Sequence, residues 1–270
     1  YKKALKIKPD FAEAYNNMGV ALKDKGNLES AINSYQQALK IKPDFAEAYN
    51  NMGNALQNKG DLEAAIDSFK KAQNIKPDYA EAYYNMGIAL KNKGDVEIAI
   101  DSFKKALKIK PDYAEAFNNM GLALKDKGDS KAAIDSYKQA LKIKPDYAEA
   151  HNNMGTSLQD EGNLQAAIDS YKHALRIRPD LAEAYNNMGL ALKDKGNPKA
   201  AIENYQRALK IKPDYADAHN NMGVTLLDNG DLEAAIDSFK HALKIKPNYA
   251  EAYNNMGLAL NDKGDLEVAI

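Results

Sequence analysis

The chain contains no cysteine and no tryptophan, and no apolar run approaches the length that crosses a membrane. Without cysteine there are no disulfides, thiolate zinc sites or cysteine nucleophiles, and the redox compartment stays undecided. No signal-peptide pattern opens the sequence. The net charge is −1 with 28% charged residues, so no global basic field attracts nucleic acid or anionic lipid. We therefore expect neither nucleic acid nor a membrane as a partner.

What the chain does contain is one phrase that returns every 34 residues, with prolines at 9, 43, 77, 111, 145, 179, 213 and 247. A fixed period of this size is typical of stacked units, none of which buries its apolar face alone. We expect one continuous array over residues 1–270, with repeats beginning near 12, 46, 80, 114, 148, 182, 216 and 250. Both ends fall inside a repeat and neither resembles a polar cap, which favours a piece of a longer array.

Each repeat reads as two short helices, numbered here from Ala12 as position 1. The Asp10…Glu13 spacing predicts a capping box at the start of the first helix, and Gly26 is expected to end it. Asn27 is expected to cap the second helix, and Pro43 forbids its continuation. The second helix carries an apolar stripe made of Leu28, Ala31, Ile32, Tyr35, Ala38 and Leu39. The predicted fold is an all-α solenoid.

A glycine interrupts the first helix of every repeat, as at Gly19. Because glycine costs about 1 kcal/mol relative to alanine inside a helix, a packing reason is expected. We predict close helix approach, with Ala31 as the matching small residue.

The pattern Tyr15, Met18, Gly19, Leu22, Ala31, Tyr35, Ala38 and Pro43 resembles the tetratricopeptide repeat. Tyrosine, Phe117 or histidine replaces the family's tryptophan, and Ser130 and Pro198 replace the Leu28-type residue; Pro198 at the first helical position should be tolerated. The resemblance implies a right-handed superhelix of about eight repeats, whose first helices line a concave groove that binds protein.

Positions 4, 7, 8 and 11 of the first helix form the predicted apolar arc, and positions 2, 5, 6, 9, 12 and 13 lie opposite. Positions 5 and 6 are asparagine pairs in all repeats except one. The candidate peptide-binding residues are Asn16, Asn17, Asn50, Asn51, Tyr84, Asn85, Asn118, Asn119, Asn152, Asn153, Asn186, Asn187, Asn220, Asn221, Asn254 and Asn255. Asparagine is a poor residue for a helix interior, but its amide both donates and accepts, which suits a peptide backbone.

The second asparagine of each pair is similar to the asparagine ladder in the repeat domain of the O-linked N-acetylglucosamine transferase. A competing interpretation is that these amides only pack against the neighbouring helix or belong to a duplicated consensus. Position 9 adds apolar patches at Val20, Ile88, Leu122, Leu190, Val224 and Leu258.

Charge on the same face is predominantly negative. Eight acids at position 2, six at position 13 and four lysines at position 12 sum to −10, against −1 for the whole chain. We therefore expect an acidic groove that takes extended, neutral or basic polypeptide. Repeats that clamp C-terminal carboxylates need lysine and arginine where this chain has glutamate and asparagine, so we predict no binding of carboxylate tails.

No catalytic chemistry is recognisable in the repeats. The histidines fall in equivalent pairs two repeats apart, His151 with His219 and His173 with His241, too far for one metal. We expect a non-enzymatic scaffold without cofactor or metal. Two alternatives stay open: a structural protein that self-assembles end to end or laterally, and the repeat portion of a larger transferase.

Overall fold

The computed structural model describes residues 1–264. Over that range it contains sixteen α-helices and no strand, which confirms the predicted all-α fold. The helices are α1 (Lys2–Ile7), α2 (Ala12–Asp24), α3 (Leu28–Ile41), α4 (Ala46–Lys59), α5 (Leu62–Ile75), α6 (Ala80–Lys93), α7 (Val96–Ile109), α8 (Ala114–Asp126), α9 (Ser130–Ile143), α10 (Ala148–Asp160), α11 (Leu164–Ile177), α12 (Ala182–Asp194), α13 (Pro198–Ile211), α14 (Ala216–Asp228), α15 (Leu232–Ile245) and α16 (Ala250–Lys263).

The chain divides into two compact units, Tyr1–Ile143 and Lys144–Ile270. In the first unit, α2, α4, α6 and α8 each pack on the helix that follows, and α2 also contacts α4, α4 contacts α6, and α6 contacts α8. In the second unit, α10, α12 and α14 each pack on the helix that follows, and α10 also contacts α12, α12 contacts α14, and α14 contacts α16. This stacking of helix pairs is the solenoid that the period indicates. The continuity of the whole chain as one array stays a prediction.

The expected capping box at the start of the first helices is wrong. Helix α2 begins at Ala12 with Phe11 at the N-cap, and no side chain caps it; α4 begins in the same way after Phe45. Asp44 lies in the preceding turn, because the aromatic residue that follows it is buried at the start of the helix. The ammonium of Lys42 lies 4.8 Å from the centre of the Phe45 ring, and this contact recurs in most repeats.

The second helices begin where the sequence predicts. Asn27 and its equivalents occupy the N-cap of these helices, and four of the equivalents, Asp61, Asp129, Asn197 and Asp231, accept a hydrogen bond from the backbone three residues on. Pro198 occupies the first turn of an unbroken α13, as predicted. The glycines that end the first helices, Gly26 to Gly264, all have positive φ, which confirms the left-handed termination.

The core of each repeat is centred on one aromatic ring of the second helix. Tyr35, Phe69, Phe103, Tyr137, Tyr171, Tyr205 and Phe239 are all completely buried. A Cβ added to Gly19 would lie 2.5 Å from Cε1 of Tyr35, so the glycine is there for close approach. The predicted partner was wrong: the nearest atoms belong to the Tyr35 ring and not to Ala31.

The apolar arc predicted for the first helices is incomplete. Besides the glycine, these helices bury small residues at positions 1, 3 and 10, such as Ala46, Ala48 and Ala55, and also position 5. The reason is that each first helix packs against its own second helix and against the neighbouring first helices, so more than one side is covered.

Candidate functional site

The asparagine pairs form a hydrogen-bonded row along the first helices of each unit. Asn51 donates from Nδ2 to Oδ1 of Asn16 at 3.0 Å, and Asn85 donates to Asn50 at the same distance. In the second unit the equivalent bonds join Asn187 to Asn152, Asn221 to Asn186 and Asn255 to Asn220. Donor and acceptor are 35 residues apart, one more than the period, so position 6 meets position 5 of the preceding repeat.

The two members of each pair have different surroundings. The first members Asn16, Asn50, Asn118, Asn152, Asn186 and Asn220 are only 4–7% exposed, so they are not available to a ligand. The expectation that position 5 faces solvent was therefore wrong for these six, whereas Asn254 in the last repeat is exposed. The second members are partly exposed or, for Asn17, exposed. We call the second members the amide row: Asn17, Asn51, Asn85 and Asn119 in the first unit, and Asn153, Asn187, Asn221 and Asn255 in the second.

Tyr84 is the exception to the asparagine pairs. Its side chain is partly exposed, and its ring centre lies 4.8 Å from that of Tyr113 and 6.1 Å from that of Phe103. Asn119 donates to the Tyr84 hydroxyl at 3.0 Å, so the phenol takes the acceptor role that asparagine has elsewhere. Burial raises the pKa of Tyr84 above its ordinary value, and this keeps the phenol neutral.

The same one-residue offset pairs the charges at positions 12 and 13. Lys91 lies 3.8 Å from Asp126, and Lys193 lies 3.2 Å from Asp228. Gln159 donates to Asp194 at 2.8 Å at the equivalent place. The aspartates are half exposed or more and the lysines are partly exposed, so the contacts screen the acids more than they stabilise the fold.

A second set of cations reaches the acids at position 2. Lys42 lies 3.5 Å from Glu13, and Arg178 lies 2.6 Å from Glu149. The summed charge of the face did not include these cations, because they come from the end of the second helix of the same repeat. Over residues 1–264, however, no ion pair involves the exposed Glu47, Glu81, Glu183 or Glu251, so these carboxylates retain their negative charge toward solvent.

The histidines pair differently from the sequence expectation. His151 stacks on His173 of the same repeat with ring centres 5.3 Å apart and planes 15° from parallel, and His219 stacks on His241 in the same way. In other repeats the equivalent contact places a cation near a tyrosine, as with Lys105 and Tyr83. Repeat positions 4 and 26 are therefore neighbours in the folded repeat. The sequence could have suggested this contact from where the two positions fall on the first and the second helix.

Burial lowers the pKa of His151 and of His219, and the neighbouring imidazole lowers it further. Nearly parallel rings direct their lone pairs along parallel planes, so this geometry does not converge on a metal ion. Over the described part of the chain, no cluster of three or more histidine or acidic residues could hold a metal. No helix among residues 1–264 is long and apolar enough to span a bilayer.

Solved structures share this architecture. A chain of the APC/C hetero-tetramer Cut9–Hcn1 is 18% identical with a TM-score of 0.75; the alignment covers 96% of this chain and 51% of that one, so this chain spans about half its length. A tetratricopeptide repeat protein from Parabacteroides merdae is 18% identical with a TM-score of 0.73, and the coverage is 93% and 99%. At these identities the likeness shows the fold alone.

YrrB, described as a TPR protein with an unusual peptide-binding site, is 28% identical with a TM-score of 0.56, and the alignment covers 68% of this chain and 95% of that one. Among curated proteins, no sequence matches the chain. Models described as TPR repeat match residues 1–26, 21–60, 58–94 and 122–160, and models of the tetratricopeptide repeat match residues 80–113, 146–214 and 180–248. The chain therefore belongs to the tetratricopeptide repeat family.

Proposed function

We propose that this chain is a non-catalytic protein-interaction scaffold that binds extended, neutral or basic polypeptide along the amide row. The observation that carries the proposal is the state of two row amides of the first unit, Asn51 and Asn85. Asn51 and Asn85 each use one N–H to bond the preceding repeat. Among the described residues nothing occupies their Oδ1 or their second N–H, so each offers one donor and one acceptor in a fixed orientation.

The spacing of the row suits an extended chain. Packed helices lie ~8–10 Å apart and an extended peptide rises ~3.3 Å per residue, so about every third peptide residue meets one row amide. Binding through the peptide backbone depends little on ligand sequence. Partly exposed apolar side chains at position 9, such as Ile88 and Leu122, follow one helical turn after the row amide and would contact ligand side chains.

The remaining charge favours a cationic ligand. Glu47, Glu81, Glu183 and Glu251 are exposed at position 2 of the same helices that carry the row, and opposite charges across an interface accelerate association. The peptide-binding site named for the similar protein YrrB supports a peptide as the ligand. An acidic C-terminal peptide should bind poorly.

The proposal is tested by fluorescence anisotropy with a labelled 12-residue peptide of mixed lysine, valine, serine and threonine. An otherwise identical peptide with glutamate for lysine serves as the charge control. Two variants of the protein are compared: Asn51→Ala with Asn85→Ala, and Asn16→Ala with Asn50→Ala. Both variants break the same two inter-repeat hydrogen bonds, but only the first removes the exposed amides.

A hydrogen bond contributes about 0.5–1.5 kcal/mol, so the loss of one bond to the peptide at each of the two positions should weaken binding roughly 5- to 150-fold. The second variant should lose stability to a similar extent but bind with less than about a threefold change. Equal affinity of all three proteins, or tighter binding of the glutamate peptide, would reject the proposal.

One observation favours self-association as a second candidate function. Ile41, Ile75, Ile109 and Ile143 recur at the same position of the first unit, each 36–39% exposed and with a lysine on both sides in three of the four. A basic edge with apolar side chains could pair with the acidic face of another copy. Light scattering against protein and salt concentration separates the two candidates, since a salt-independent monomer excludes this pairing.

A further inference from the structure

Asn119 differs from the other row amides of the first unit in how its protons are used. It donates to the Tyr84 hydroxyl at 3.0 Å and also to the backbone oxygen of Glu115 at 3.0 Å. An asparagine amide has two N–H donors, so both are engaged. Asn51 and Asn85 donate only once each among the described residues. Asn119 therefore offers a ligand its Oδ1 and no donor.

The reason lies in Tyr84. Its ring centre lies 4.8 Å from that of Tyr113 and 6.1 Å from that of Phe103, and the tyrosine side chain is longer than that of the asparagine it replaces. Nδ2 of Asn119 lies within 3.0 Å of this oxygen and within 3.0 Å of the carbonyl oxygen of Glu115, four residues earlier in the same helix. The aromatic contacts keep the phenol in place, so the arrangement is built into the core.

We propose that Tyr84 is a specificity-determining residue that sets the register of the bound peptide. Because of Tyr84, Asn119 can only accept a hydrogen bond from a ligand, through its Oδ1. The peptide unit opposite Asn119 must therefore present a backbone N–H. Proline or an N-methylated residue is excluded there but tolerated opposite Asn85, whose free N–H still bonds a carbonyl. This inference rests on the proposed function of the amide row.

The absence of cysteine from the chain allows a direct test by disulfide tethering. Leu122→Cys and Ile88→Cys each place one thiol three residues after a row asparagine, on the same helix face. The probe is a nine-residue lysine- and valine-containing peptide with a central cysteine, together with versions N-methylated at single residues beside it. Tethering at equilibrium is measured by mass spectrometry over a range of 2-mercaptoethanol, and Lys138→Cys on the exposed side of α9 serves as the control site.

At the Leu122→Cys site, one N-methyl group should reduce tethering about five- to tenfold, the loss of one hydrogen bond. At the Ile88→Cys site no N-methyl group should reduce tethering more than about twofold to threefold. There the free N–H of Asn85 can bond a neighbouring peptide carbonyl in place of the lost bond to Oδ1. Adding Tyr84→Phe to Leu122→Cys keeps the ring but frees one N–H of Asn119, so the large penalty should fall to the Ile88→Cys level. Tyr84→Asn should act in the same direction, and circular dichroism verifies the fold of both variants.

Equal N-methyl penalties at the two sites, or a penalty that Tyr84→Phe leaves unchanged, would overturn the role of Tyr84 while tethering above the Lys138→Cys control still supports the amide row. Tethering at both sites no better than the control would overturn the proposed function and this inference with it.

Discussion

At the residue scale, the interior glycine of each first helix is a packing residue in spite of its poor helix propensity. A Cβ added to Gly87 would lie 2.6 Å from Cε1 of Phe103, whose ring is completely buried. Alanine would gain about 1 kcal/mol in propensity, whereas overpacking of a filled core costs about 1–3 kcal/mol or more.

We therefore predict that Gly87→Ala destabilises the protein by up to about 2 kcal/mol net, measured by urea unfolding. Combination with Phe103→Leu gives the test its control. Since the smaller side chain leaves space for the methyl group, Gly87→Ala should cost less in that background than in the wild type. A stabilising Gly87→Ala would show that propensity, and not the ring, decides at this position.

At the element scale, equivalent N-caps of the second helices do not contribute equally. Asp61 Oδ1 accepts from the backbone N–H of Ala64 at 3.1 Å, whereas the side chain of Asn163 makes no such bond at the start of α11. A side-chain cap contributes about 1 kcal/mol. We expect Asp61→Ala to lower the free energy of unfolding by about that amount, and Asn163→Ala by only a few tenths of a kcal/mol. Urea unfolding of the two variants measures the difference, and equal losses would contradict it.

Most features of the helix pair could be predicted from the sequence. The 34-residue period, the helix-ending glycines and the apolar stripe of the second helix depend on local chemistry, so the helix pair and its core ring could be read from them. The start of the first helix could not, because burial of Phe45 overrode the capping chemistry of Asp44.

Which asparagine of each pair is buried also lay beyond the sequence. The pairing offset of 35 residues arises from how neighbouring first helices pack, and a period of 34 does not contain it. For the same reason the ion pair between Glu13 and Lys42 was missed, since it joins the two helices of a repeat. The sequence predicted which face of the first helices carries the asparagine pairs. Only the structure showed which asparagine of each pair is buried and which is exposed.

At the scale of the whole molecule, the four histidines are unevenly placed, because all of them lie in the second unit. His151 and His219 have buried Nδ1 atoms without a partner, and each stacks on a second imidazole. Arg176 lies 3.4 Å from Nδ1 of His173, which adds positive charge beside the first pair. A proton on His151 or His219 is therefore disfavoured by burial and by the neighbouring imidazole.

The direction of the pH effect follows from these pKa values. Because the pKa of His151 and of His219 is lowered below the ordinary 6.5, the unfolded chain binds protons first as the pH falls. Their contribution to stability is complete above pH 6.5 and is lost below it, until the folded pKa is reached.

Hydrogen exchange locates this loss, since repeats contact only their neighbours and units can open separately. Between pH 7.5 and 5.5, protection factors corrected for intrinsic rates should fall for amides of residues 144–264 and change little for residues 1–143. A variant with His151→Tyr, His173→Lys, His219→Tyr and His241→Lys copies the Tyr83 and Lys105 contact and should show no fall in either range. A fall shared by both ranges, or one that the variant retains, would assign the acid sensitivity to the carboxylates spread along the whole chain instead of the stacked imidazoles.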